Sequence, residues 1–182
     1  MTGGVVVETT SVEAPLTGVT DEEALLQAMP ESFRLKGMFY GRFVGALGAD
    51  FEAIAGDLLQ PPRGGRYLAF GDYPQRDFVR IYCAAARKAS PELALSEALR
   101  RLARDDFAVF AGSTLGRVLV SMVGDARSAL HRLPFVYSKV ASGEWTHSAV
   151  DLDEDTVTLR FSPHYGSWAY QVGQLEGVVL AF

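Results

Sequence analysis

Thr156-Val157-Thr158-Leu159-Arg160-Phe161, followed by Tyr170-Gln171-Val172-Gly173-Gln174-Leu175-Glu176-Gly177-Val178-Val179-Leu180-Ala181-Phe182, decides the fold class. In the first run Val157, Leu159 and Phe161 alternate with threonine and arginine, the period of two that marks a half-buried strand. The second run is apolar and glycine-spaced. Upstream of both, apolar residues recur at helical intervals instead. Helices first and a small antiparallel sheet late define an α+β domain, with about six helices packed on one small antiparallel sheet formed mainly near the C-terminus. Asp153-Glu154-Asp155 supplies the hairpin turn, and residues 145–152 supply the partner strand. Burying Val157, Leu159 and Phe161 contributes about 1.5–3 kcal/mol each. A lone hairpin is marginal in water, so this one needs helices on its apolar face or further strands.

Working back toward the N-terminus, Asp125 is placed to cap a helix carrying Ala126, Ala129, Leu130 and Leu133, with Pro134 near its end. Leu115, Val118, Leu119 and Met122 form another stripe, opened by a Ser113 or Thr114 cap and closed by Gly124. Ser90-Pro91-Glu92 reads as cap, preset turn and favourable N-terminal charge for a helix with Leu95, Ala98, Leu99 and Leu102 facing inward. Pro74 suits the first position of a helix that buries Phe78, Ile81, Tyr82 and Ala85. Pro61-Pro62-Arg63-Gly64-Gly65 is a break, read as an internal loop.

Two shorter helical patterns precede it: Phe51, Ile54, Ala55, Leu58 and Leu59, and before them Phe39, Phe43, Ala46 and Leu47. Gly48 suits the left-handed turn that ends the earlier one. Phe33 to Leu35 is expected to be extended. Thr20-Asp21-Glu22-Glu23 is a capping box for a short helix ended by Pro30. Residues 1–18 read as a loose N-terminal arm, and residues 19–182 as a single domain.

Composition narrows the function classes. A chain of 182 residues is most simply one domain, burying roughly 70% of its unfolded surface. Its net charge of −5 opposes the basic surplus that phosphate neutralisation requires, so neither nucleic acid nor an anionic membrane is an expected partner. The single Cys83 excludes an intramolecular disulfide and fits a reducing, cytoplasmic compartment. Met1-Thr2-Gly3-Gly4 has neither the pattern of a secretory signal nor the glycine of a myristoylation site. No run approaches the ~20 apolar residues that span a bilayer.

The strings Leu35-Lys36-Gly37-Met38-Phe39-Tyr40, Tyr73-Pro74, Ala98-Leu99-Arg100-Arg101-Leu102, Leu133-Pro134 and Tyr170 to Gly177 resemble a paralogous myxobacterial family of unknown function. The resemblance runs from residue 33 to residue 182. That family is in turn distantly similar to the ligand-binding domains of nitric-oxide signalling and vesicle-tethering proteins. The resemblance implies several helices preceding a small antiparallel sheet, in some members around a pocket, and it carries over no catalytic residue. Members of the family continue past the glycine-spaced segment with strand-like sequence. It therefore implies a smaller sheet here, or one completed by Val5-Val6-Val7 or by another subunit.

The distant similarity raises a haem cofactor, which needs an axial ligand facing a deep apolar pocket. His131 is the histidine on a predicted helix, but its neighbour Arg132 suits a surface turn. Tyr137-Ser138-Lys139 lacks both the arginine and the spacing of the tyrosine-serine-arginine cluster found in the nitric-oxide sensors. No cofactor is expected. His147 and His164, with Asp151 or Asp153, match no metal-ligand spacing, and no metal is expected. Ala111-Gly112-Ser113-Thr114-Leu115 has Ala111 and Leu115 where a nucleophile elbow needs glycine. Cys83 lies in a helix interior, where a thiol packs rather than reacts. Gly64-Gly65 and Gly112 match no phosphate-binding fingerprint. No catalytic residue is assigned, and the chain is not expected to be an enzyme.

Gly173 and Gly177, four apart, allow close helix packing, either within the chain or across a homodimer seam. Most aromatic residues are read as core filler. Tyr40, Tyr137, His164 and Trp168 pair ring surface with a hydrogen-bonding tip and are the candidates for binding a small apolar ligand. The leading expectation is a non-catalytic cytoplasmic binding or signalling module acting through protein contacts. The alternative is a sensor domain enclosing a small apolar ligand or cofactor, with an enzyme third. A closed cavity of roughly 300 Å3 or more between helices and sheet would separate the first two.

Overall fold

The computed structural model describes residues 21–182 except 63, 113–116, 118–119, 152, 154–155 and 163–164, and of residues 106, 108–110 and 112 the backbone alone. In chain order the elements are α1 (Glu22–Ala28), β1 (Arg34–Lys36), α2 (Tyr40–Leu47), α3 (Phe51–Ala55), β2 (Asp72–Pro74), α4 (Gln75–Ala89), α5 (Leu95–Gly112), α6 (Ala126–Val140), β3 (Ala141–Ser142), β4 (Thr146–Asp151), β5 (Val157–Ser162) and α7 (Trp168–Leu180). Helices pack against small antiparallel sheets, with the strands mostly in the C-terminal half. The architecture is α+β.

The strands form two sheets among the described residues. β1 lies between β2 and β3, pairing antiparallel with both: Leu35 faces Tyr73 on one side and Ala141 on the other. The alternation Val157, Leu159, Phe161 is β5, paired with β4 in the register Ala149 to Leu159 and His147 to Phe161. This hairpin does not stand alone. Its inward residues pack against α6, supplying the helical cover that a two-stranded sheet needs.

α4 is the central post. Phe78, Val79, Ile81, Tyr82, Cys83, Ala85 and Ala86 are all buried, because α1, α2 and α5 close around it. Tyr40, Phe43 and Leu47 of α2 meet it on one side, and Ala98, Leu99 and Ala103 of α5 on another. Gly48, at φ +56°, ends α2 in a backbone conformation that costs glycine little. Asp77, in the first turn of α4, is fully buried, and its carboxylate accepts the Leu59 and Gln60 amides, each at 2.8 Å. It thereby pins the chain that follows α3.

Several local expectations change. Asp21 caps α1, accepting the Glu23 amide; Thr20 lies outside the described residues, as does the N-terminal arm. Pro74 is not the first residue of α4 but the last of β2, held extended by pairing with Arg34 and by the Tyr40 hydroxyl, which donates to its carbonyl at 2.8 Å. Ser90 does not cap α5. It is buried and its carbonyl accepts the Leu93 amide, so the chain makes a tight turn before the helix begins at Leu95. Ala46 is exposed rather than inward. Asp125 caps α6 through the Ser128 amide, but the helix runs through Pro134 to Val140. Ser113, Thr114, Leu115, Val118 and Leu119 lie outside the described residues, and Met122 is exposed.

Candidate functional site

A cavity of about 90 Å3 lies where α4, α6 and α7 meet β1 and β4. Its floor comes from the i, i+3, i+7 face of α4, which presents Gln75, Phe78 and Tyr82. α6 contributes Tyr137 and Val140, which reach the cavity only because the helix continues past Pro134. α7 contributes Tyr170, Gln171 and Gln174, and the segment leading into it contributes Tyr165, Gly166 and Ser167. Phe33, Leu35, Phe39, Ala141, Trp145 and His147 complete the described wall.

Rings fill most of this space. Tyr82 and Tyr170 stack at 4.5 Å with planes 10° apart. Phe33 meets Trp145 at 5.3 Å and Tyr165 at 5.1 Å. His147 packs at 4.8–4.9 Å from Tyr137, Trp145 and Phe161. Burial pushes its imidazole below the usual histidine range, so it is neutral near pH 7. Burial likewise pushes the Tyr82, Tyr137 and Tyr170 phenols up, keeping them protonated. No Asp, Glu, Lys or Arg is among the described lining residues. The site is neutral and aromatic.

Its polar groups are unevenly satisfied. Gln171 Nε2 donates to the Tyr137 hydroxyl at 2.8 Å. Two atoms of lining residues, the Tyr82 hydroxyl and Gln75 Oε1, have essentially no accessible surface, and neither makes a well-formed side-chain hydrogen bond among the described residues. The Ser167 backbone lies near enough to favour the ionised Tyr82 phenol slightly, but no well-directed bond forms. Leaving a buried polar group unpaired costs about 1–3 kcal/mol.

Of the four ligand-binding candidates read from the sequence, Tyr137 lines the cavity. Tyr40 belongs to a separate ring cluster with Tyr67, Tyr73 and Phe78, its hydroxyl committed to the Pro74 carbonyl. Trp168 opens α7 and meets Phe161 at 6.2 Å, outside the lining. His164 lies outside the described residues. Tyr82, Tyr170 and Gln171 were not singled out, because on a helical stripe a lining tyrosine and a core tyrosine look alike.

Gly173 and Gly177 face away from the cavity, toward α5. A Cβ on Gly173 would stand 2.1 Å from the Arg100 carbonyl oxygen and 2.9 Å from Ala103 Cβ. One on Gly177 would stand 2.6 Å from Phe107 Cβ and 2.8 Å from the Arg104 carbonyl oxygen. Beside them the Arg100 guanidinium forks onto the Glu176 carboxylate, with Nε 3.0 Å from each oxygen. Cys83 is fully buried, and burial pushes its thiol well above the usual range, so it is unreactive at neutral pH.

No curated protein matches the sequence. Among solved structures, a mutant of the iron(II), unliganded H-NOX protein from K. algicida is similar, with a TM-score of 0.57 and 14% identity over 81% of this chain and 83% of that one. At that identity the likeness concerns the fold. A haem group, which the distant family similarity implies, does not fit the described residues. The cavity of about 90 Å3 is far below a cofactor's needs, and cofactor pockets run to roughly 300–1,000 Å3. His131 projects outward from α6 and binds Asp151 of β4 at 2.7 Å, and His147 is wedged among rings. From residue 34 to residue 182 the chain matches one family profile, and it belongs to that family, the proteins of unknown function designated DUF2378.

Proposed function

We propose that this chain is a non-catalytic cytoplasmic binding module, built on a sensor-type fold and acting through protein contacts. One observation carries the reading. The loop before β2 displays Leu68 and Phe70 at 72% and 82% exposure while its backbone is fixed in place. The Gly37 and Met38 amides donate to the Gly71 and Ala69 carbonyls at 2.9 and 3.0 Å, and the Leu68 amide donates to the Tyr73 hydroxyl at 2.9 Å. Two large apolar side chains on a preordered loop lose little entropy when a partner covers them. The acidic balance and single cysteine support a protein partner in a reducing compartment rather than nucleic acid or a membrane surface. No described helix is long and apolar enough to cross a membrane.

The test replaces Leu68→Ser and Phe70→Ser together and compares in-cell crosslinking of variant and parent. Melting should be unchanged, as both side chains are exposed, and the protein crosslinked to the parent should be lost. An identical crosslinked set from a folded variant refutes contact through this loop. A second reading, a sensor enclosing a small ligand, is favoured by the aromatic cavity and by the likeness in fold to an H-NOX protein.

A further inference from the structure

The turn that carries Leu68 and Phe70 is fixed more firmly than a connection requires. The Gly71 amide closes it onto the Leu68 carbonyl at 3.0 Å, and the Gly37 and Met38 amides bind it to the segment just before α2. Two glycines permit that close seat. A Cβ on Gly37 would run into the Leu68 carbonyl, and one on Gly71 would stand 2.9 Å from the Tyr73 ring. Yet Leu68, Ala69 and Phe70 are all exposed. The backbone is anchored while the side chains are left uncovered.

Charge at the two ends of the turn specifies what covers it. Arg66, on one arm, is exposed and makes no ion pair among the described residues. Asp72, on the other arm, is half open to solvent although Lys36 Nζ stands 2.8 Å away. Its two oxygens have room for further donors. The patch therefore runs cation, leucine, phenylalanine, carboxylate. Turned about a two-fold axis through its middle, cation falls on carboxylate and carboxylate on cation, with the apolar side chains between. An isologous contact requires that self-complementarity. A phosphate-bearing surface, by contrast, would set its own negative charge against Asp72.

We propose that this turn is the two-fold contact of a homodimer. Leu68 and Phe70 of each copy cover those of the other, Arg66 meets Asp72 of the second copy, and Asp72 meets its Arg66. The proposal rests on the protein-contact reading above and names the partner as a second copy of this chain.

Sedimentation velocity of the purified full chain, from about 10 µM to about 0.5 mM, is the test. The parent should show a monomer–dimer equilibrium with a dissociation constant of about 10–100 µM, since the patch is smaller than the ~800 Å2 per partner of a standard interface. Arg66→Asp sets carboxylate against carboxylate at both ends of the contact and weakens the dimer at least about tenfold. Asp72→Arg does the same with cations. Mixed in equal amounts, these two variants pair at the parent's strength, because each supplies the charge the other lacks. Leu68→Ser with Phe70→Ser leaves a monomer. Arg66→Asp changes only an exposed side chain, so its melt matches the parent. Asp72→Arg gives up an exposed pair with Lys36 that contributes little; should it fold poorly, Arg66→Asp alone decides. A parent still monomeric at about 0.5 mM overturns the proposal, as does a dimer that Arg66→Asp leaves unchanged. If the parent is monomeric while the serine variant still loses its crosslinked protein in cells, the turn docks a different protein, and the contact reading survives without the dimer.

Discussion

His147 shows how a single residue's surroundings set a measurable property. Rings on three sides bury it, and that burial makes its charged form costly. The sign follows from linkage. Its folded pKa is depressed below the ordinary value of about 6.5, so the unfolded chain takes up the proton first. The stability that depends on a neutral His147 is complete above about pH 6.5 and declines as pH falls from there toward the folded value. His147→Phe, which preserves the ring, should flatten that decline. Thermal melts of parent and variant between about pH 7 and pH 5 check this, in a range where ordinary carboxylates are still ionised; burial raises Asp77, but it is common to both proteins and cancels in the comparison. Parallel curves would show that His147 is not the group responsible. Asp151, held low mainly by its bond to His131, loses its contribution only at far more acidic pH.

At the scale of elements, the seam between α5 and α7 is the tightest feature of the fold. The obstacle to a side chain at Gly173 is a backbone carbonyl, which cannot swing aside. Gly173→Ala should cost about 3 kcal/mol, the upper part of the range for overpacking a core. Gly177→Ala should cost about 2 kcal/mol, since its obstacles, the Phe107 Cβ at 2.6 Å and the Arg104 carbonyl at 2.8 Å, are as fixed but stand farther off than the carbonyl facing Gly173. Gly124→Ala, with open space around it, should be near neutral and serves as the control. Urea melts rank the three. If Gly173→Ala melts with Gly124→Ala, the close approach is wrong.

The glycine spacing was visible in the sequence, since four residues place both glycines on one helical face. So was the strand alternation of residues 157–161. The course of α6 was not. Proline in a helix interior costs about 3 kcal/mol, and local rules therefore end the helix there. The structure continues because Tyr137 and Val140 are needed against the cavity and Ala141 against β1, contacts that no local pattern announces. The second sheet was missed for the same reason: β1 and β2 are three residues each, too short for alternation to register.

For the whole molecule, the fold likeness and the interior point in different directions. The fold is similar to that of an H-NOX protein, while the cavity between α4, α6 and α7 holds only about 90 Å3 beside the stacked Tyr82 and Tyr170. Expression with haem supplied should give a colourless protein, and a Soret band after purification would contradict the description of the cavity. This division was only partly legible beforehand. The setting of His131 and the missing arginine in Tyr137-Ser138-Lys139 already disfavoured a haem, but whether buried tyrosines fill a space or border one depends on packing between distant segments.

α7 belongs to both halves of this picture. One side carries Tyr170, Gln171 and Gln174 against the cavity, and the other carries Gly173 and Gly177 hard against the α5 backbone. A strut clamped so closely has no slack. A displacement of this helix from the tyrosine side would therefore bear directly on the α5 backbone at Arg100 and Arg104, so the two helices are expected to shift as one piece.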